Sequence, residues 1–285
     1  MTPPVPAAGP SLRSPLTWLY VPGDREDRIP KAFASGADVV VIDLEDAVAP
    51  GGKDAARRAA EHAAAGSSTP CQVRVNAFGS PWAEADLAMV AGLPRHVGVR
   101  VPKCEQPADV VRVAEAVGPR PLHLLVESAR GVEAAHELAC AHEQVATIGL
   151  GEADLRADLG VTDERGLLFA RSRVVVAAAA AGLEPPSMSV FTDVRDLDAL
   201  RQSCIEGRLL GLVGRAAIHP VQLTVIEDVF VPSPAEIARA REVVEAAAAG
   251  AATGRGAVAL ADGRFVDEAV VRQARRLLAR AGISS

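Results

Sequence analysis

Apolar and polar positions fall along this chain in blocks. Eight short apolar runs occupy residues 18–21, 39–42, 73–75, 99–101, 123–126, 146–150, 188–191 and 216–218, and nearly every one ends at a charged or hydrogen-bonding side chain. Short apolar runs of this kind read as strands buried on both faces. Between most of them lies a stretch with helical character: residues 26–35, 53–65, 106–117, 131–141, 167–181 and 196–206. Several of these stop at a Gly suited to a helix C-cap, among them Gly36, Gly66, Gly118, Gly182 and Gly207. Shorter helices are expected over 82–89 and 220–228. This alternation predicts an α/β fold, a (β/α)₈ TIM barrel over residues 16–231 with its chemistry at the C-terminal ends of the strands.

The pattern changes at both ends. Residues 1–15 hold five prolines and no periodicity, so a disordered tail is expected there. After Pro232, Ser233-Pro-Ala-Glu236 forms a capping box that opens a helix to about residue 249. A flexible link over 250–256 follows, then a hairpin around the Asp262-Gly263 pair and a basic helix over 268–281. Residues 232–285 are surplus to a barrel. They read as a lid or oligomerisation extension, over the barrel's own mouth or a neighbouring subunit's.

Composition narrows the partners. The chain has 285 residues, close to the roughly 250 of one barrel. A net charge of −6 without any basic stripe argues against nucleic acid, and no apolar run approaches a membrane-spanning length. Cys71, Cys104, Cys140 and Cys204 lack metal-ligand spacing and read as reduced thiols of a cytoplasmic protein. An anionic substrate would need local positive charge, for which Arg25, Lys31, Arg74 and Lys103 are candidates near strand ends.

Candidate chemistry follows the run ends. Glu127 and Asp154 lie just past consecutive runs, and parallel strands about 4.8 Å apart let two carboxylates share one ion. Two carboxylates completed by water and substrate oxygens suit Mg²⁺. The alternative is that each caps a helix or pairs with an Arg. Asp43, Glu45 and Asp46 repel one another unless a cation or helix terminus compensates. They read as support for a metal or a base, or, for Asp46, as a helix N-cap. Arg74 sits inside an apolar run, an expensive place for a charge without a partner or an anionic ligand. Arg25 and Lys31 suit either a ligand phosphate or a solvated surface. His219 suits a structural bond, a ligand contact or a base. Lys103 leaves a Schiff-base aldolase open.

Eight ordered segments carry a family likeness. They are Leu19-Tyr-Val-Pro-Gly-Asp-Arg25, Gly36-Ala-Asp-Val-Val-Val-Ile-Asp-Leu-Glu-Asp-Ala-Val48, Val73-Arg-Val-Asn76, Val101-Pro-Lys103, Val126-Glu-Ser-Ala-Arg-Gly131, Gly149-Leu-Gly-Glu-Ala-Asp-Leu155, Gly214-Arg-Ala-Ala-Ile-His-Pro220 and Asp262-Gly-Arg-Phe-Val-Asp267. Together they resemble the citrate lyase β-subunit-like branch of the HpcH/HpaI aldolase superfamily, which includes malyl-CoA and citramalyl-CoA lyases. The resemblance implies a carbon–carbon lyase dependent on Mg²⁺ (or Mn²⁺), splitting a 3-hydroxyacyl-CoA into acetyl-CoA and a 2-oxo acid through an enolate.

It also implies roles. Glu127 and Asp154 would bind the metal. Arg74 would bind substrate and stabilise the enolate. Tyr20, Arg25 and Lys31 would contact the CoA substrate, with Ala153, Ile218 and His219 lining the site. Asp267 would act as acid/base in a neighbouring subunit of a homo-oligomer, a trimer or dimer of trimers. Three other functions stay open: a citrate lyase β subunit acting on a carrier-protein thioester, an acyl-CoA thioesterase, and a binding protein without catalysis.

Overall fold

The computed structural model describes residues 14–252, 257–260 and 262–283. Most of the expected N-terminal tail, residues 253–256 of the expected link, and Ala261 lie outside the described residues. The chain divides into two compact units, one spanning Pro15–Phe230 and the other containing Val231–Ser285.

The first unit alternates strand and helix. Its strands are β1 (Thr17–Pro22), β2 (Val39–Asp43), β3 (Cys71–Arg74), β4 (Gly98–Val101), β5 (Leu122–Val126), β6 (Val145–Leu150) and β7 (Arg215–Ala217). All pair in parallel, in the order β6-β5-β4-β3-β2-β1-β7. The helices between them are α1 (Ile29–Phe33), α2 (Lys53–Ala65), α3 (Ala83–Gly92), α4 (Pro107–Val117), α5 (Ala129–Glu133), α6 (Ala135–Ala139), α7 (Glu152–Leu159), α8 (Leu168–Ala180), α9 (Leu197–Leu209) and α10 (Val221–Phe230). Alternate strand positions serve two cores. Leu19, Val21, Val40 and Ile42 join the large apolar cluster that includes Ala56 and Ala60 of α2. Trp18, Val39 and Val41 form a smaller cluster on the opposite face, with Tyr20 packed against it. Residues buried on both faces explain why these strands read as unbroken apolar runs.

The seventh apolar run, residues 188–191, departs from the expected strand. It makes one parallel bridge, Met188 to Arg215 of β7. Among the described residues, main-chain bonds to the β7 side involve only Pro186 and Met188: Val213 N–H donates to the Pro186 carbonyl, Met188 N–H to Gly214 and Ala216 N–H to Met188. On the β6 side a side chain bridges the seam: the Ser189 hydroxyl donates to the Leu150 carbonyl and accepts from Glu152 N–H. The sheet therefore has seven strands among the described residues, curled and covered by helices.

Gly207 does not end its helix as expected. It sits inside α9, where a Cβ would overlap the Met188 thioether. Gly211, at φ +94°, follows the true end. The helix expected over 131–141 is split into α5 and α6 at Ala134, with Ser128 capping α5 by accepting from Gly131 N–H. The first helix shrinks to five residues.

One partly buried group points to a pH dependence of stability. His123 on β5 bonds Thr147 of β6 at 3.0 Å, and burial, with help from the Arg100 charge, pushes its pKa down to about 3. A base depressed below its unfolded value of about 6.5 favours folding above that pH and loses this contribution as pH falls toward 3. His123→Asn should therefore flatten the loss of stability in denaturant melts between pH 6.5 and 4, by up to about 1.4 kcal/mol per pH unit. An unchanged slope would contradict the assignment.

The second unit holds α11 (Pro234–Ala252), a hairpin of β8 (Val258–Ala259) and β9 (Phe265–Val266), and α12 (Glu268–Arg280). The capping box forms as expected: Ser233 N–H donates to Glu236 and Glu236 N–H to the Ser233 hydroxyl. Val243, Leu260, Val266, Val271 and Leu278 make its small core. No described helix is long and apolar enough to cross a membrane.

Candidate active site

Charged groups gather where β2 to β6 end. Arg74, the last residue of β3, is the hub. Its Nε and Nη2 donate to the two oxygens of Asp43 at 2.7 and 2.6 Å, a bidentate pair across neighbouring strands. Its Nη1 lies 3.0 Å from Glu45 and 3.5 Å from Asp46. Asp43 is itself fixed by accepting Glu45 N–H. One guanidinium thus meets all three carboxylates of the segment. Asp46 does not cap a helix. Gly52 precedes α2 without a side-chain cap, and the half-exposed Asp46 carboxylate turns toward Arg74 and Lys103.

Lys103, two residues beyond β4, joins this cluster to the ends of β5 and β6. Its Nζ lies 2.7 Å from Glu45, 3.5 Å from Asp46 and 3.9 Å from Asp154. Its backbone N–H donates to Glu127 at 2.9 Å. Glu127 is 5% exposed, and its carboxylate lies against Gly151, where any Cβ would overlap it. Asp154, in the first turn of α7, is half-exposed.

The electrostatics are strained in one place. Burial, then the nearby Glu45 and Asp154 charges, pushes the Glu127 carboxyl up to about 8 despite Arg74. Burial also raises Glu45, with Arg74 and Lys103 pulling the other way. For Arg74 and Lys103 burial works against the charge, but Asp43 and Glu45 respectively hold each above its ordinary range. With its ammonium 2.7 Å from Glu45, Lys103 is engaged as an ion-pair partner, which argues against a Schiff-base role.

Glu127 and Asp154 fit a hard divalent cation. Glu127 is buried with one backbone N–H on its carboxylate, and both side chains offer only oxygen donors. No group of three or more His, Cys, Asp or Glu side chains converges as a metal site among the described residues. A cation bound here would take two carboxylates and complete its shell with water or ligand, the habit of Mg²⁺.

Beneath the cluster lies a layer that the run-end pattern did not single out. Arg100 of β4, 4% exposed, donates to Gln72 at 2.9 Å and to the Tyr20 hydroxyl at 3.1 Å. The Tyr20 ring lies 5.3 Å from the Arg74 guanidinium and 5.5 Å from that of Arg100. Tyr20 thus backs Arg74 from inside the barrel. Lys53 at the start of α2 is also buried, and its ammonium donates to the Leu44 and Glu45 carbonyls, bracing the acidic segment. Arg100 carried the same signal as Arg74, a cation between two valines. Lys53 carried none beyond its place at a helix start.

The other predicted residues stand outside this cluster's recorded contacts. Arg25 pairs with Asp27, and Lys31 is exposed on α1. Ala153 is exposed in the first turn of α7. Ile218 and His219 follow β7, both exposed, with their N–H groups donating to Gln222. Asp267 belongs to the second unit, where it caps α12 by accepting Val270 N–H at 3.0 Å. A cavity of about 720 Å³ between α1 and α2, lined by Ile29, Phe33, Arg58 and His62, touches none of the carboxylates above.

The profile of the HpcH/HpaI aldolase/citrate lyase family matches residues 16–220. The chain belongs to that family. Among its relatives, a citrate lyase subunit beta-like protein of Deinococcus radiodurans is 40% identical over 275 residues, covering 91% of this chain and 95% of the relative. A (3S)-malyl-CoA thioesterase of Cereibacter sphaeroides is 36% identical over 270 residues, covering 92% and 93%. A solved structure of CitE from Mycobacterium tuberculosis, in complex with magnesium, acetoacetate and coenzyme A, superposes with a TM-score of 0.79 at 34% identity. It covers 95% of this chain and 100% of that one. The family's TIM-barrel neighbours thus share the curled parallel sheet that carries the cluster.

Proposed function

We propose that this chain is a carbon–carbon lyase, dependent on Mg²⁺, that splits a 3-hydroxyacyl-CoA such as malyl-CoA or citramalyl-CoA into acetyl-CoA and a 2-oxo acid, or joins them in reverse. The observation that carries this reading is the convergence of Arg74, Lys103, Glu127 and Asp154 at the strand ends of one barrel. The magnesium and coenzyme A bound to the M. tuberculosis relative support it.

Glu127 and Asp154 would hold the cation, which when bound supplies a Lewis acid and a template for the oxygens of the 2-oxo acid. Arg74 keeps its charge and its orientation through Asp43, so its guanidinium is preorganised for negative charge developing on the thioester oxygen. The Tyr20 ring, whose hydroxyl accepts from Arg100, lies against it. Lys103 holds the Glu127 carboxylate by its N–H. Asp267 would move the proton between the acetyl carbon and solvent, acting in the site of a neighbouring subunit within a homo-oligomer. Arg25 and Lys31 would meet the CoA phosphates, and Ala153, Ile218 and His219 would border the acyl pocket. The reaction's soluble reactants fit a cytoplasmic location.

A second reading has its own support, since a relative 36% identical is a malyl-CoA thioesterase. Hydrolysis would need the same cation site and Arg74, with water attacking the thioester carbonyl. One experiment separates the two. The purified chain is incubated with malyl-, citramalyl- and hydroxymethylglutaryl-CoA, with and without Mg²⁺, and products are followed by mass spectrometry. Acetyl-CoA plus a 2-oxo acid is expected from malyl- or citramalyl-CoA. Free CoA plus intact hydroxy acid would establish the thioesterase instead, and no turnover with any acyl-CoA would point to a carrier-protein thioester or to binding alone.

A further inference from the structure

Lys103 is the only non-glycine residue with positive φ, +52°, among the described residues. An L-residue side chain resists that conformation, and glycine would adopt it freely. A lysine kept there has work that the surroundings enforce. Its contacts show what the strain achieves. From one backbone position it reaches four carboxylates: Glu45, Asp46 and Asp154 through the ammonium, and Glu127 through the N–H.

Two of these carboxylates also have Arg74, one has the Lys103 backbone, and one has the Lys103 ammonium alone. Arg74 also lies within 4 Å of Glu45 and Asp46. Glu127 meets only the backbone of Lys103, so a neutral side chain at 103 would leave that bond in place. Asp154 has no cation within 4 Å other than Lys103 among the described residues. The Lys103 ammonium is therefore the charge that offsets Asp154, at the mouth of the Glu127–Asp154 pair.

We propose that Lys103 is a positioning residue that sets the affinity of the Glu127–Asp154 pair for its divalent cation. The inference rests on those two carboxylates being the cation's ligands. The ammonium stands in for part of the missing positive charge and offsets the repulsion among Glu45, Asp46 and Asp154 while the site is unloaded. An arriving divalent cation meets its repulsion beside one of the two ligands, so binding by the protein alone is held weak. A 2-oxo acid brings further negative donors and tips the balance. The site thereby loads fully only when the anionic substrate is present.

The test uses the full chain and Mn²⁺ as the probe, with free Mn²⁺ read by electron paramagnetic resonance during titration. Lys103→Met removes the charge and keeps the bulk. Lys103→Gly removes the charge, suits the backbone and leaves the N–H at Glu127. Both should bind Mn²⁺ about tenfold more tightly than the parent, the scale of one unit charge about 5 Å away at a half-exposed site. Lys103→Arg keeps the charge and should stay within about twofold. Melting curves verify that each variant is folded. Binding by the Met and Gly variants that is equal to or weaker than the parent's overturns the proposal. A folded parent that takes up no Mn²⁺, with or without oxaloacetate, instead overturns the ligand assignment beneath it.

Discussion

Replacing Glu127 by Gln is expected to lower Mg²⁺-dependent kcat/KM on the order of a thousandfold, because a ligand charge is lost from a site that supplies only two. Gln is the informative choice. It fills the same space, and its amide oxygen still accepts the Lys103 N–H that now orients the carboxylate. Burial already pushes Glu127 toward its neutral form, so removing the charge should leave the melting temperature of the metal-free protein equal or higher. Full activity with weak stability would point to a structural role. Cleavage at the parent rate without Mg²⁺ would sink the metal assignment. Gly151→Ala should reproduce the loss from the other side, because the new Cβ overlaps the Glu127 carboxylate and must displace it. Gly66→Ala, with open space around its Cβ, is the matching control.

The second large effect concerns Asp267. As the N-cap of α12 it has a structural role that truncation would confuse with a catalytic one, at about 1 kcal/mol for a lost cap. Asparagine caps a helix as well as aspartate does but moves no proton. Asp267→Asn should therefore melt with the parent and lose most of its turnover, by about a hundredfold or more. Arg74→Lys should be inactive as well: it keeps a positive charge over Asp43 and Glu45 but forfeits the bidentate geometry. Lysine is preferable to alanine, which would strand two buried carboxylates at a cost of about 3–5 kcal/mol. Mixed and allowed to exchange subunits, the two inactive proteins should recover activity, up to about a quarter of the parent's if assembly is random and each site draws on two subunits. No recovery, with exchange verified by mass spectrometry, would place the acid/base elsewhere.

Particular residues show where sequence reasoning reached and where it stopped. Arg74 announced itself as a charge within an apolar strand, and its pairing with Asp43 follows from adjacent parallel strands in register. Arg100 gave the same sign, and only the three-dimensional contact with Tyr20 shows its use. Lys53 was invisible, because a lysine at a helix start is ordinary until its ammonium is found on two carbonyls nine and eight residues back. Gly207 misled. Its backbone permissiveness suggested a helix stop, but its missing Cβ was needed for Met188 to pack.

The seventh run shows the same limit. Its apolar character was real, and Met188 is buried as that predicts. Whether a strand forms there depends on partners on both sides, and the run keeps a single bridge to β7 and a serine hydroxyl toward β6.

The alternation of strands and helices and the family were legible in the sequence alone, because strands buried on both faces leave short apolar runs between helical stretches. Which carboxylates meet which cations was decided by the tertiary structure. Glu45 and Lys103 lie 58 residues apart and Lys103 and Asp154 51 apart, and they become neighbours only through the curl of the sheet and the positive φ at Lys103. A charge's partner is set by distance and burial, and neither exists until the barrel has formed.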